Sequence, residues 1–113
     1  MDVIIRSRSV PVSKALQEHC QERAQRAIQP FAQQVDRVEL VLVDLNGPKK
    51  GLGQACRVFV KLSRGGSVMF ATSGRDFYAA ASQATFGAGR HLARTLAKAR
   101  TRTHVPVAPL GAV

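Results

Sequence analysis

One run of residues constrains the fold of this chain more than any other. In "QACRVFVKLS", residues 54–63, Cys56, Val58, Val60 and Leu62 alternate with Arg57, Phe59 and Lys61. A period of two is the mark of a strand whose faces meet different surroundings. Here one face is apolar, and the other is basic and aromatic. "RGG" at 64–66 supplies a tight turn into "SVMFATS", Ser67 to Ser73, so this strand and the next are expected to form a hairpin.

Two more strands can be read upstream. "VIIRSR", Val3 to Arg8, is β-branched and short; it sets Val3 and Ile5 on one face and Ile4, Arg6 and Arg8 on the other. "RVELVLVDL", Arg37 to Leu45, is almost wholly apolar and suits a central position in a sheet covered on at least one side. "NGPKKGLG" after it reads as a basic loop carrying Lys49 and Lys50, without the GxxxxGK[ST] pattern of a phosphate-binding loop.

Two stretches have helical periodicity. After a break at Pro11, Ser13 is placed to cap a helix in which Leu16, Cys20, Ala24, Ala27, Ile28 and Phe31 recur, with a stop near Pro30. Its polar side, including Lys14, Gln17, Glu18, Glu22 and Arg26, reads as solvated, and the Glu22 and Arg26 pair is worth roughly 0.2–0.5 kcal/mol. From Asp76, a second cap, a proline-free helix is predicted to about Arg100, with Phe77, Ala81, Ala84, Ala88, Leu92, Leu96 and Ala99 on one apolar arc. Gly87 and Gly89 within it cost about 1 kcal/mol each relative to alanine, so a straight helix requires close packing at both. The remainder, "HVPVAPLGAV", has no pattern and reads as a flexible tail.

The predicted order is therefore β-α-β-β-β-α, an α+β fold with a four-stranded mixed sheet and two helices packed on one face. A strand, helix, strand opening implies a right-handed crossover between parallel strands, and the hairpins that follow must be antiparallel. With 113 residues and 45% hydrophobic content, the chain is expected to form one domain over residues 1–103, with 104–113 as the tail.

Charge narrows the partner. Seventeen Lys and Arg against seven Asp and Glu leave a net charge of +10, which favours a polyanion such as nucleic acid or an anionic membrane surface. The second reading is weak because the apolar arc of the last helix is mostly alanine, with little bulk to insert into lipid. No apolar run approaches the ~18 residues of a membrane span and no apolar secretory segment follows Met1, so a cytoplasmic protein is expected.

Chemistry on a bound substrate finds little support. Cys20 and Cys56 belong to no CxxC pattern, and His19 beside Cys20 points about 100° away on a helix, so no metal site is expected. Asp76 and Tyr78 sit two apart on a helix and diverge; capping by Asp76 and partial burial of Tyr78 is the better account. Seven scattered acids assemble no general acid and base pair. The expectation is a non-enzymatic protein with no cofactor and no small-molecule substrate.

Three stretches carry a resemblance to a known family. "VIIRSRSVPVSKALQEHCQERAQRAIQPF", "DRVELVLVD" and "GRDFYAAASQA" are similar, in order and spacing, to the opening strand and helix, the second strand and the start of the last helix of the bacterial ribosome hibernation-promoting factors, the family that includes ribosome-associated inhibitor A. The resemblance implies a translation inhibitor that binds the small ribosomal subunit and its ribosomal RNA in the messenger and decoding channel. Where the family's last helix has Ile, Asp and Lys, this chain has Ala81, Ser82 and Gly87, so one implied phosphate contact is missing. The longer family members carry a further dimerisation domain. Nothing after Thr103 is long or apolar enough for a second core, so a monomer when free, unable to pair ribosomes by itself, is expected.

The residues expected to meet RNA follow from charge and face. Arg90, Arg94, Lys98 and, if the helix persists, Arg102 form a ridge beside the apolar arc, and no acid occurs from Phe77 onward. Solvated helix faces usually mix signs, which favours phosphate binding here. Arg57 and Lys61, extended by Arg6 and Arg8, form a second basic surface on the sheet, and Arg75 precedes the last helix. A stacking platform commonly presents two or three aromatics; Phe59 alone reads better as an aromatic filling part of an exposed strand. The alternative function is a basic RNA-binding or protein-interaction module of the same fold that does not act on the ribosome.

Overall fold

The computed structural model describes residues 1–8, 11–44 and 53–104, with 99–104 described by their backbone alone. The Lys49 and Lys50 loop, the segment after His104 and the side chains of Ala99 and Arg102 lie outside the described residues. The elements run β1 (Asp2–Ser7), α1 (Lys14–Ile28), a 3-10 segment (Gln29–Gln34), β2 (Val35–Asp44), β3 (Gln54–Leu62), β4 (Ser67–Gly74) and α2 (Phe77–His104). The predicted order holds.

Local chemistry sets the boundaries. Ser13 accepts a hydrogen bond from the Leu16 N–H at 3.1 Å and starts α1. Pro30 has no N–H to continue the helical ladder, so α1 ends at Ile28 and the chain tightens into the 3-10 segment, where Phe31 leaves helical geometry at φ −114°. In the β3–β4 connection, Gly65 and Gly66 adopt φ of 97° and 84°, which few other residues tolerate, and the Leu62 N–H donates to the Gly66 carbonyl at 3.1 Å. Asp76 Oδ1 accepts from the Ala79 N–H at 2.8 Å and starts α2.

The sheet has the strand order β1-β2-β3-β4, with β1 parallel to β2 and the other pairs antiparallel. The parallel pair is joined through α1, as a crossover requires. A register shift between Val35 and Arg37 lets Val35 and Val38, three positions apart, both turn into the core.

Both helices lie on one face of the sheet. Val38, Leu40, Leu42, Cys56, Val58, Val60 and Val68 form a continuous buried surface across the strands, and it packs in one cluster with Leu16, Cys20, Ala24 and Ile28 of α1 and with Phe77, Ala84, Ala88 and Leu92 of α2. The alanines of the arc let α2 ride close to the sheet. The two glycines have the packing reason that a straight helix demanded: a Cβ at Gly87 would come within 2.2 Å of the Phe70 ring, and one at Gly89 within 3.0 Å of the Ala27 carbonyl oxygen. Gly87, where the family resemblance implied a phosphate-binding lysine, is thus a seat for Phe70 of β4.

Candidate nucleic-acid interface

The basic residues read from the sequence fall on two opposite sides of the molecule. Arg90, Arg94 and Lys98 project from the exposed side of α2, and the helix backbone carries Arg102 in the same turn sequence because α2 continues to His104. Arg57 and Lys61 project from the sheet face that the helices leave uncovered, and Arg6 joins them, since Arg6, Val41, Arg57 and Ala71 occupy one cross-strand row. Arg8 is exposed just beyond β1, its N–H donating to the Leu42 carbonyl at 3.2 Å, and Arg75 is exposed between β4 and α2.

The sheet side is a mixed surface. Phe59 and Met69 are cross-strand partners, 39% and 53% exposed, and Glu39 lies beside Phe59 on β2. Arg6 Nε meets Glu39 Oε2 at 2.5 Å, so one cation of this face is engaged by a carboxylate set in the middle of the sheet. A shallow groove of about 440 Å³ runs here between Arg37, Glu39, Phe59 and Lys61. A phosphate entering it would meet the Glu39 charge, and a base would find one aromatic ring.

The helix side is more uniform, and it contains residues that sequence reasoning missed. Because Gly89 lets α2 approach Ala27 of α1, the flanking side chains converge on a groove of about 360 Å³ lined by Arg23 and Arg26 of α1 and by Phe86 and Arg90 of α2. No acid lines it. Arg26 pairs with Glu22 one turn earlier on α1, whereas Arg23, Arg90, Arg94 and Lys98 have no carboxylate partner among the described residues. Phe86 is 61% exposed, and the Arg90 guanidinium carbon stands 5.8 Å from its ring centroid, within cation–π range. The side of α1 expected to be solvated contributes Arg26 here, and α1 adds Arg23, to which the sequence reading gives no role. The signal available in the sequence was Phe86 itself, a large apolar residue off the arc that buries α2.

A second set of contacts fixes the helix pair. His19 Nε2 lies 3.1 Å from the Tyr78 carbonyl oxygen and 3.0 Å from Ser82 Oγ. The Tyr78 carbonyl can only accept, so the tautomer with the proton on Nε2 donates across the interface. The Tyr78 and His19 rings pack edge to face with centroids 5.0 Å apart, and Tyr78 remains 41% exposed. Thr85, buried between the helices, donates to the Ala81 carbonyl at 2.8 Å.

Both cysteines sit in the core as free thiols. Burial raises Cys20 to a pKa of about 11 and, with the neighbouring Cys20 thiol adding to the effect, Cys56 to about 12. Neither is a nucleophile at neutral pH. Among the described residues no group of three or more His, Cys, Asp or Glu converges as a metal site, and no helix is long and apolar enough to cross a membrane.

Comparison with known proteins places this geometry. The chain resembles a ribosomal subunit interface protein from Coxiella burnetii, with a TM-score of 0.74 at 20% identity, covering 86% of this chain and 99% of that one. It also resembles the N-terminal domain of Protein Y from Thermus thermophilus, with a TM-score of 0.66 at 23% identity over 84% of this chain and 99% of that one. Comparison with curated protein sequences gives no match. The pattern of the family described as sigma 54 modulation protein / S30EA ribosomal protein spans residues 3–102. That span contains the described strands, save Asp2 at the start of β1, and nearly all of α2, and the chain belongs to this family.

Proposed function

We propose that this protein binds the small ribosomal subunit through its ribosomal RNA, in the channel used by messenger and decoding-site transfer RNA, and represses translation by occupying it. The observation that carries the reading is the acid-free groove and ridge of Arg23, Arg90, Arg94 and Lys98 on the helix side of a chain from this family. Cations fixed on helices and left without carboxylate partners are suited to RNA phosphates, and binding of this kind releases counterions. Family membership supplies the ribosome as the source of that RNA. The protein acts by occupancy, without a cofactor or a chemical step, in the cytoplasm where ribosomes work. A net charge of +10 opposes self-association, so the free form is a monomer.

The test is co-sedimentation with purified small subunits over a salt series, followed by reconstruction of the protein on empty ribosomes. About five phosphate contacts give a slope of log K against log salt of several units. The reconstruction is expected to show density in the messenger channel with α2 against ribosomal RNA. Affinity independent of salt, or density elsewhere, would reject the proposal; strong binding to free RNA without subunit binding would favour an RNA-binding module that does not act on the ribosome.

A further inference from the structure

The groove between α1 and α2 is more selective than a phosphate contact requires. We infer that it takes a single nucleotide, its base stacked on the Phe86 ring and its phosphate held by Arg23 and Arg90. The inference deepens the proposed RNA contact and rests on that reading for the supply of nucleotides in a strand.

Three observations converge. Phe86 is 61% exposed and lines a groove that also holds arginines from both helices, and the Arg90 guanidinium stands over its ring, 5.8 Å from the centroid. An aromatic ring beside a guanidinium is the arrangement that stacks a base while holding its phosphate. The floor is made by Gly89 against Ala27, so no side chain fills the space between the helices there. Its volume of about 360 Å³ falls at the small end of the range for ligand clefts, roughly 300–1,000 Å³, which suits one nucleotide and not a duplex.

The charge selects the class of ligand. Arg23 and Arg90 have no carboxylate partner among the described residues and the groove is lined by no acid, so an anion entering it meets cations from both helices, while Glu22 beside the groove is engaged by Arg26. Ring and cations together fit a base-bearing phosphate. A paired base keeps its face within the stack; the nucleotide therefore comes from an unpaired strand or free in solution.

The experiment compares a single-stranded RNA hexamer, the same sugar-phosphate chain without bases, and adenosine 5′-monophosphate, all with the full chain. The base-bearing hexamer is expected to bind about fivefold more tightly than the abasic one at equal salt, the lower end of the effect of one stacked base. Phe86→Ala should abolish that difference while leaving the thermal melt and the salt slope unchanged, and Phe86→Tyr should restore it. Arg23→Gln should lower the slope by nearly one unit for both hexamers. Equal binding of the two hexamers, or a difference that survives Phe86→Ala, overturns the inference. Perturbation of the Phe86 ring resonances by adenosine 5′-monophosphate assigns a free nucleotide as a ligand, perturbation by the hexamer alone assigns the strand, and perturbation by neither rejects the site. Loss of the base effect with intact subunit binding removes the groove and spares the subunit reading; the converse result does the opposite.

Discussion

The two cysteines show how one environment decides both reactivity and stability. Cys20 on α1 and Cys56 on β3 face each other across the layer between helix and sheet, where burial favours the neutral thiol. At pH 8 the folded protein should resist a thiol reagent that labels it within minutes once unfolded. The raised values also predict alkaline sensitivity. The unfolded thiols ionise near pH 9, while the folded ones hold their protons to about 11 and 12, so the folded state binds more protons across that window and loses stability as pH rises through it. Melting temperatures measured from pH 8 to 11 should fall, and Cys56→Ala should flatten the fall even though it lowers stability at pH 8. Equal steepness in the variant would assign the effect to other groups. Asp76 offers a contrast at the same scale, since its carboxylate is engaged by the Ala79 N–H. Asp76→Ala should cost about 1 kcal/mol of stability and leave subunit affinity unchanged, the signature of a cap and not of a contact.

At the scale of elements, α2 is shaped by what it lacks. Gly87 has no side chain because the Phe70 ring of β4 occupies that place, and Gly89 has none because α1 does. Gly87→Ala alone sets a propensity gain of about 1 kcal/mol against displacement of the ring, whereas in a Phe70→Ala background only the gain remains. A double-mutant cycle in denaturant should therefore show coupling between positions 70 and 87, with Gly87→Ala more favourable once Phe70 is gone; additivity would mean that the ring moves without cost. The same glycines mark where sequence reading stopped. Periodicity made the strands, the caps at Ser13 and Asp76 and the apolar arc legible, because each depends on residues close in the chain. Which neighbour each glycine meets depends on residues distant in sequence, Phe70 and Ala27, and no local pattern encodes that pairing. Arg23 and Arg26 went unrecognised for the same reason. Arg26 reads as part of a solvated helix face and Arg23 carries no signal of its own until α2 lies beside them, and the alternation in β3 places Arg57 and Lys61 on the outward face without revealing that Glu39 engages Arg6 there.

At the scale of the molecule, basic charge lies on both sides of a two-layer fold, and a small subunit cannot use both equally if one side faces away from it. The helix side carries Arg23, Arg90, Arg94 and Lys98 free of carboxylate partners among the described residues. The sheet side has Arg6 engaged by Glu39, leaves Arg57 and Lys61 beside that carboxylate, and exposes Phe59 and Met69 as well. Charge reversal on each side separates them. Arg90→Glu with Arg94→Glu should reduce affinity for the small subunit and lower the salt slope by nearly two units, because each lost phosphate contact removes close to one. Arg57→Glu with Lys61→Glu makes the same change in net charge, so it controls for long-range attraction, and it should weaken binding less and change the slope by under one unit. All four residues are exposed, and both variants should melt near the parent temperature. If the sheet pair proves the more damaging, the binding surface is the sheet, with Arg6 and Arg57 in their shared cross-strand row at its centre, and the groove between the helices faces solvent.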